Sequence, residues 1–107
     1  MGDIETPLRT PDLGPGEIRE VEVRGEVLLV TNIGQTYYAM SAFCPNDGVN
    51  LARDGELQGD KVVCPGDLWA FDVRTGTNVE PGGEPGLRRY AITIDENRIL
   101  IGEPVSD

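Results

Sequence analysis

The only two cysteines of this chain open two short loops whose residue types could hold a metal. The first loop, residues 44–48, reads CPNDG, and the second loop, residues 64–68, reads CPGDL. Thiolates are strong ligands for zinc and iron, and an aspartate can add a harder oxygen ligand. The chain contains no histidine, so the nitrogen ligands that often accompany such cysteines are missing.

The elements that position these loops are predicted to be short strands. The chain has 107 residues, which fits one domain, and it is rich in turn-forming residues, with 14 glycines and 8 prolines. Segments of β-branched and aromatic residues, separated by turns, predict strands at 17–23, 27–32, 36–41, 62–64, 69–72, 90–94 and 99–101. The first 16 residues contain three prolines and predict an extended arm. No segment predicts a long helix.

The charge of the chain excludes some classes of partner. The formal net charge is −10, which argues against binding to nucleic acid or to an anionic membrane, because both need a basic face. A basic protein surface remains a suitable partner. No apolar run reaches the roughly 20 residues of a membrane helix, and the N-terminal residues lack an apolar signal core. We therefore expect a cytoplasmic protein.

Several motifs around the loops resemble one family. Residues 55–57 read GEL, residues 59–60 read GD, and residues 71–76 read FDVRTG. With the two Cys-Pro loops, they make the chain similar to the small Rieske-type ferredoxins that supply electrons to aromatic-ring oxygenases. The resemblance implies an all-β fold, a small antiparallel β-sandwich. It also implies a single Rieske-like domain over residues 1–107, with a two-loop tip subdomain at about 42–75.

The chain departs from that family at two ligand positions. The family motif is Cys-x-His followed by Cys-x-x-His, so the cofactor-binding positions here are Cys44, Asn46, Cys64 and Asp67. In a Rieske centre two thiolates hold one iron and two imidazoles hold the other. An amide oxygen is a poor iron ligand, and a carboxylate is harder and adds negative charge. The expectation is therefore that no cofactor is bound. The alternatives are a [2Fe–2S] cluster with non-standard ligands, or a single zinc or iron ion on Cys44, Cys64 and Asp67.

The resemblance also places Cys44 and Cys64 side by side, because in the family they share one iron. Without that iron, the two cysteines could form a disulfide, which would stabilise the protein by about 3 kcal/mol in the chain-entropy model. Asp67 is a weak candidate for a general base, with an Asx turn as the simpler interpretation. Asp47 is assigned to ordinary Asn-Asp-Gly turn chemistry.

Three functions remain open from the sequence. The first is an accessory or interaction component, without a cluster, that binds an oxygenase or reductase component. The second is an electron-transfer ferredoxin with a non-standard cluster held by cysteine and aspartate. The third is a cofactor-free enzyme that uses the vacated cluster pocket. Because the chain shows no catalytic constellation, a catalyst is less expected than an accessory or electron-transfer protein.

Overall fold

The computed structural model describes residues 2–105, and strands dominate them. The strands are β1 (Ile4–Arg9), β2 (Ile18–Val23), β3 (Glu26–Ile33), β4 (Thr36–Ser41), β5 (Glu56–Gln58), β6 (Lys61–Val63), β7 (Ala70–Asp72), β8 (Asn78–Glu80), β9 (Arg89–Asp95) and β10 (Arg98–Val105). The helices described are a 3₁₀ turn at Thr10–Asp12 and the four-residue helix α1 at Leu51–Asp54. The predicted all-β fold is confirmed.

The strands form two antiparallel sheets. The large sheet has six strands in the order β1-β10-β9-β4-β3-β2, and the small sheet has four in the order β5-β6-β7-β8. In the large sheet, β2, β3 and β4 form the predicted meander, with Val30 opposite both Arg19 and Ala39. The small sheet positions the second cysteine loop, which connects β6 to β7.

The predicted extended arm contains a strand instead. Ile4 of β1 pairs with Ile101 of β10, and the buried Thr6 hydroxyl donates a hydrogen bond of 2.8 Å to the Ile99 carbonyl. Pro7 is compatible with this strand because β1 lies at the edge of the sheet. The prediction was wrong because the strand forms through a partner near the other end of the chain, which local sequence patterns do not show.

Two apolar clusters hold the sheets together. One lies within the large sheet region and contains Leu13, Val21, Val23, Leu28, Val30, Ala39, Tyr90, Ile99 and Ile101. The other lies beneath the cysteine loops and contains Leu29, Met40, Ala42, Cys44, Leu51, Val62, Cys64, Phe71, Val73 and Leu87. Both cysteines are therefore part of a close-packed core, which restricts how far their thiols can move.

Gly76 is expected to be the least replaceable glycine of the loop region. A Cβ atom at residue 76 would lie 2.2 Å from the Leu87 carbonyl oxygen, and the Gly76 φ angle is +77°. Gly25 has the same φ of +77°, but a Cβ atom there would have nothing within 4 Å. We expect Gly76→Ala to lower the free energy of unfolding by about 2–4 kcal/mol and Gly25→Ala by about 1 kcal/mol. Urea unfolding of both variants checks this, and equal losses would show that the contact with Leu87 is unimportant.

Two other sequence predictions bear on the architecture. The single domain over 1–107 with a tip subdomain at 42–75 stays a prediction, and its residues 1, 106 and 107 lie outside the described residues. Across residues 2–105, no helix is long and apolar enough to cross a membrane.

Candidate metal centre

The two cysteine loops share one backbone hydrogen-bonding pattern. The N–H of each cysteine donates to the carbonyl five residues later, from Cys44 to Val49 at 2.9 Å and from Cys64 to Trp69 at 2.8 Å. The carbonyl of each cysteine accepts from the N–H four residues later, at 2.9 Å in the first loop and 3.0 Å in the second. The loops are therefore equivalent in backbone structure.

The fourth residue after each cysteine is in the left-handed region. Gly48 has a φ of +78°, and Leu68 has a φ of +64°. A non-glycine residue in this conformation costs roughly 1–2 kcal/mol. The Leu68 side chain is nevertheless 68% exposed, so this strain is not offset by burial of an apolar side chain.

An aspartate lies three residues after the cysteine in both loops. Asp47 Oδ1 accepts a hydrogen bond of 3.1 Å from the Val49 N–H, and Asp67 Oδ1 accepts one of 2.9 Å from the Trp69 N–H. Both are Asx turns, as the sequence predicted for these positions. Each carboxylate keeps a second oxygen that can face the opposite loop.

Four potential ligands converge between the loops. One ligand atom from each of Cys44, Asp47, Cys64 and Asp67 lies within 4.8 Å of the others. Both cysteines are buried, whereas Asp47 is exposed and Asp67 is half-buried. The structure thus brings together Cys44, Cys64 and Asp67, the three residues predicted as metal ligands. It adds Asp47, which sequence reasoning assigned only to a turn.

Asn46 occupies a different place in this arrangement. Its side-chain Nδ2 donates a hydrogen bond to Asp67 Oδ2, across the gap between the loops. This bond lowers the pKa of the Asp67 carboxyl, and the Trp69 N–H lowers it further. A carboxyl with a lowered pKa is ionised near neutral pH and accepts a proton poorly. Asp67 is therefore better suited to bind a metal as an anion than to act as a general base.

The thiol of Cys64 lies in an environment that favours its neutral form. Burial raises the pKa of Cys64 to about 11 and is the main cause of the shift. Hydrogen bonds to the carboxylates of Asp47 and Asp67 raise this pKa further, while the backbone N–H groups of the second loop oppose them. A metal must therefore displace a proton from Cys64, and metal binding there should become stronger as the pH rises.

In the metal-free protein, Cys64 is expected to react slowly with iodoacetamide at pH 7 and progressively faster towards pH 11, because the thiolate is the nucleophile. The raised pKa also makes stability depend on pH. The thiol of the unfolded chain ionises near pH 9, the ordinary pKa, and that of the folded chain only near 11, so the free energy of unfolding should fall as the pH rises from about 9 to about 11. Peptide mass spectrometry at several pH values measures the rate. Alkylation of Cys64 at pH 7 as fast as that of a free cysteine would contradict the raised pKa.

The predicted disulfide stays a prediction. Cys44 and Cys64 are both free thiols, and their Sγ atoms lie within 4.8 Å of each other. A disulfide requires an S–S distance of about 2.05 Å, so the two Sγ atoms would have to move closer together on oxidation.

Comparison with known proteins places this geometry in a recognised family. Residues 7–91 match the family model described as Rieske [2Fe-2S] domain. The chain is 32% identical over 97 residues to apoptosis-inducing factor 3 of Mus musculus, covering 90% of the chain but 16% of that protein. It thus spans about one sixth of the length of this relative.

Solved structures match over a larger share of their length. The ferredoxin of carbazole 1,9a-dioxygenase from Nocardioides aromaticivorans IC177 superposes with a TM-score of 0.87 at 25% identity, covering 96% of this chain and 99% of that one. A complex of reduced oxygenase and oxidised ferredoxin in carbazole 1,9a-dioxygenase contains a chain that matches with a TM-score of 0.84 at 29% identity. The match covers 92% of this chain and 93% of that chain.

These matches correct the expectation that no cofactor is bound. A Rieske [2Fe-2S] family model and ferredoxin structures both point to a [2Fe–2S] cluster as the cofactor. The prediction was wrong because it treated the missing imidazoles as loss of the site. The loops instead retain four groups that can act as ligands. Two thiols and two carboxylates fit an iron–sulfur centre in number, with oxygen in place of imidazole nitrogen.

Proposed function

Because the chain belongs to the Rieske [2Fe-2S] domain family, we propose that it is an electron-carrying ferredoxin that serves an oxygenase or reductase component. The observation that carries the proposal is the convergence of Cys44, Cys64 and two aspartates within 4.8 Å, between loops of matching structure. This arrangement supports an iron–sulfur centre at the position where the family holds one.

The proposed ligands come from the two loops. Cys44 and Cys64 would hold one iron, and Asp67 would be a ligand of the second iron together with one further group. When bound, the cluster accepts and donates single electrons. The protein's own contribution is to keep the two thiols buried, to hold Asp67 ionised through Asn46, and to place the centre beside the surface.

The surface around the loops supports a protein partner. Phe43, which is 49% exposed, directly precedes the first cysteine loop, and Leu68, which is 68% exposed, is the last residue of the second. Exposed apolar side chains near a redox centre are suited to a docking contact, and a net charge of −10 favours approach to a basic surface. The solved complex of an oxygenase with a matching ferredoxin supports the same type of partner for this chain.

Anaerobic reconstitution with ferrous iron and sulfide tests the proposal. We expect about two irons and two acid-labile sulfides per chain, visible absorption that bleaches with dithionite, and reversible oxidation. The Cys44→Ala and Cys64→Ala variants are the controls and should bind neither. Transfer of electrons from the reduced protein to an oxygenase component, measured by the return of the visible absorption, then tests the function itself.

Two results would overturn the proposal. Protein that stays colourless after reconstitution would leave no carrier for the electron. About one iron per chain without sulfide would show a single-ion centre in place of the cluster. In contrast, a loaded cluster that reduces no oxygenase or reductase component would exclude the proposed partner class.

A further inference from the structure

We propose that Asp47, and not Asn46, is the fourth ligand of the metal centre between the two cysteine loops. This inference rests on the proposed function, because it names the residue that completes the same site. It replaces the assignment that the family motif implies, in which the residue two positions after Cys44 is the ligand.

The first argument for Asp47 as a ligand is that the two loops have equivalent backbone structure. Asp47 follows Cys44 by three residues, as Asp67 follows Cys64, and each Oδ1 accepts the N–H two residues later. The cysteine hydrogen bonds and the left-handed residue that follows each aspartate also correspond. Two loops with one conformation present the side chain at this position in the same relation to their cysteine, so Asp47 is the structural counterpart of Asp67.

The second argument is that Asp47 contacts the second loop. Its Oδ2 lies 3.4 Å and its Oδ1 lies 3.6 Å from Cys64 Sγ. A Cβ atom at residue 66 would lie 3.2 Å from Asp47 Oδ2, so the glycine at position 66 leaves room for this carboxylate. Asp47 therefore extends across the gap towards the thiol that shares the site.

The contacts of Asn46 point away from a ligand role. The Asn46 Nδ2 donates a hydrogen bond to Asp67 Oδ2. The only side-chain atom of Asn46 that could bind iron is then its neutral amide oxygen, which is a weak ligand. Asn46 is better suited to be a positioning residue, because its hydrogen bond orients the Asp67 carboxylate and lowers its pKa. The first loop thus supplies one ligand, Asp47, and one outer-shell donor, Asn46.

The separations between these atoms also indicate a probe that needs no sulfide. Metal–sulfur bonds of about 2.3 Å and metal–oxygen bonds of about 2.0–2.2 Å at a tetrahedral angle place sulfur and oxygen about 3.5 Å apart. The Asp47 oxygens lie 3.4 and 3.6 Å from Cys64 Sγ. A single Co²⁺ ion, whose visible absorption bands report its ligands, can therefore bind Asp47 and Cys64 together. Co²⁺ thus tests whether Asp47 is a metal ligand, although in the proposed cluster Asp47 and Cys64 would bind different irons.

The experiment measures Co²⁺ affinity and reconstituted iron content for the wild type and three variants. Asp47→Asn keeps the side-chain oxygen that accepts the Val49 N–H and removes the charge, so the loop should remain folded. We expect Asp47→Asn and Asp67→Asn to weaken Co²⁺ binding by about 100-fold or more, and to lose most of the iron. Asn46→Ala should weaken binding by about 10-fold, which is typical of an outer-shell residue. Circular dichroism and urea unfolding confirm folding.

The outcomes separate this inference from the proposed function. Wild-type protein that binds Co²⁺ but forms no cluster would overturn the function, and an Asp47→Asn effect on Co²⁺ would still support the inference. A cluster that survives Asp47→Asn but is lost in Asn46→Ala would overturn the inference and keep the function. A folded Asp47→Asn variant with wild-type Co²⁺ affinity would show that the Cys64 contact is only structural and would also overturn the inference.

Discussion

The reconstituted wild-type protein is expected to have a reduction potential near or below about −400 mV, far lower than the roughly −150 to +300 mV of Rieske centres. Two ferric ions, two sulfides and two thiolates sum to a formal charge of about zero, and two imidazoles leave it unchanged. Two carboxylates lower the formal charge to about −2. This is also the charge of a cluster held by four thiolates, whose reduction potential is about −400 mV in plant-type ferredoxins. Adding an electron to a more negative centre is less favourable. An anaerobic redox titration followed by visible absorption measures the potential.

Restoring the two imidazoles should reverse the effect. The triple variant Asn46→His, Asp47→Asn, Asp67→His removes both proposed carboxylate ligands and places histidines at the family positions, where Asn46 and Asp67 contact each other across the site. We expect its potential to rise by at least about 200 mV relative to the wild type. The double variant Asn46→His, Asp47→Asn, with Asp67 retained, keeps one proposed carboxylate ligand, serves as the control and should give an intermediate value. A wild-type potential above −150 mV would contradict the assignment of carboxylate ligands.

Phe71→Ala is expected to have the largest effect on stability, lowering the free energy of unfolding by about 3–5 kcal/mol. Phe71 in β7 is fully buried and belongs to the same apolar cluster as Cys44 and Cys64. Its ring also contacts Trp69, with centroids 6.5 Å apart at 56°. Because whole domains are stable by only about 5–15 kcal/mol, the variant should unfold at much lower urea concentrations.

Two controls identify the cause of that loss. Phe71→Leu keeps most of the volume and should lower the free energy of unfolding by less than about 2 kcal/mol. Val79→Ala changes a residue of the neighbouring strand β8 that is 38% exposed, and it should have an effect below about 1 kcal/mol. A Phe71→Ala loss no larger than that of Val79→Ala would show that the cluster beneath the loops is loosely packed.

The sequence predicted those parts of the fold that depend on local patterns. Runs of β-branched residues identified the meander of β2, β3 and β4, because one buried face requires alternating or continuous apolar positions. The strand β1 was missed because its partner β10 is distant in sequence. The short strand β8 was missed because it follows a turn and contains few apolar residues.

The candidate site was predicted in the same uneven way. Cys44, Cys64 and Asp67 were identified because ligand chemistry and motif spacing agreed for them. Asp47 was missed because a turn alone explains the residues Asn-Asp-Gly. In the structure, Asp47 forms that turn and also contacts Cys64. The repeated Cys-Pro-x-Asp pattern of the two loops was a signal in the sequence that could have identified it.

The unequal lengths of the strands have a consequence for how the site can be filled. Each strand of the small sheet has three residues, whereas the strands of the large sheet have six to eight. Short strands with few cross-strand hydrogen bonds open by local unfolding at a lower free energy than a long, fully paired sheet. Amide hydrogen exchange in β5–β8 should therefore be faster than in β3 and β4. Such openings would let iron reach Cys64, which is inaccessible to solvent in the closed state, while the six-stranded sheet remains folded.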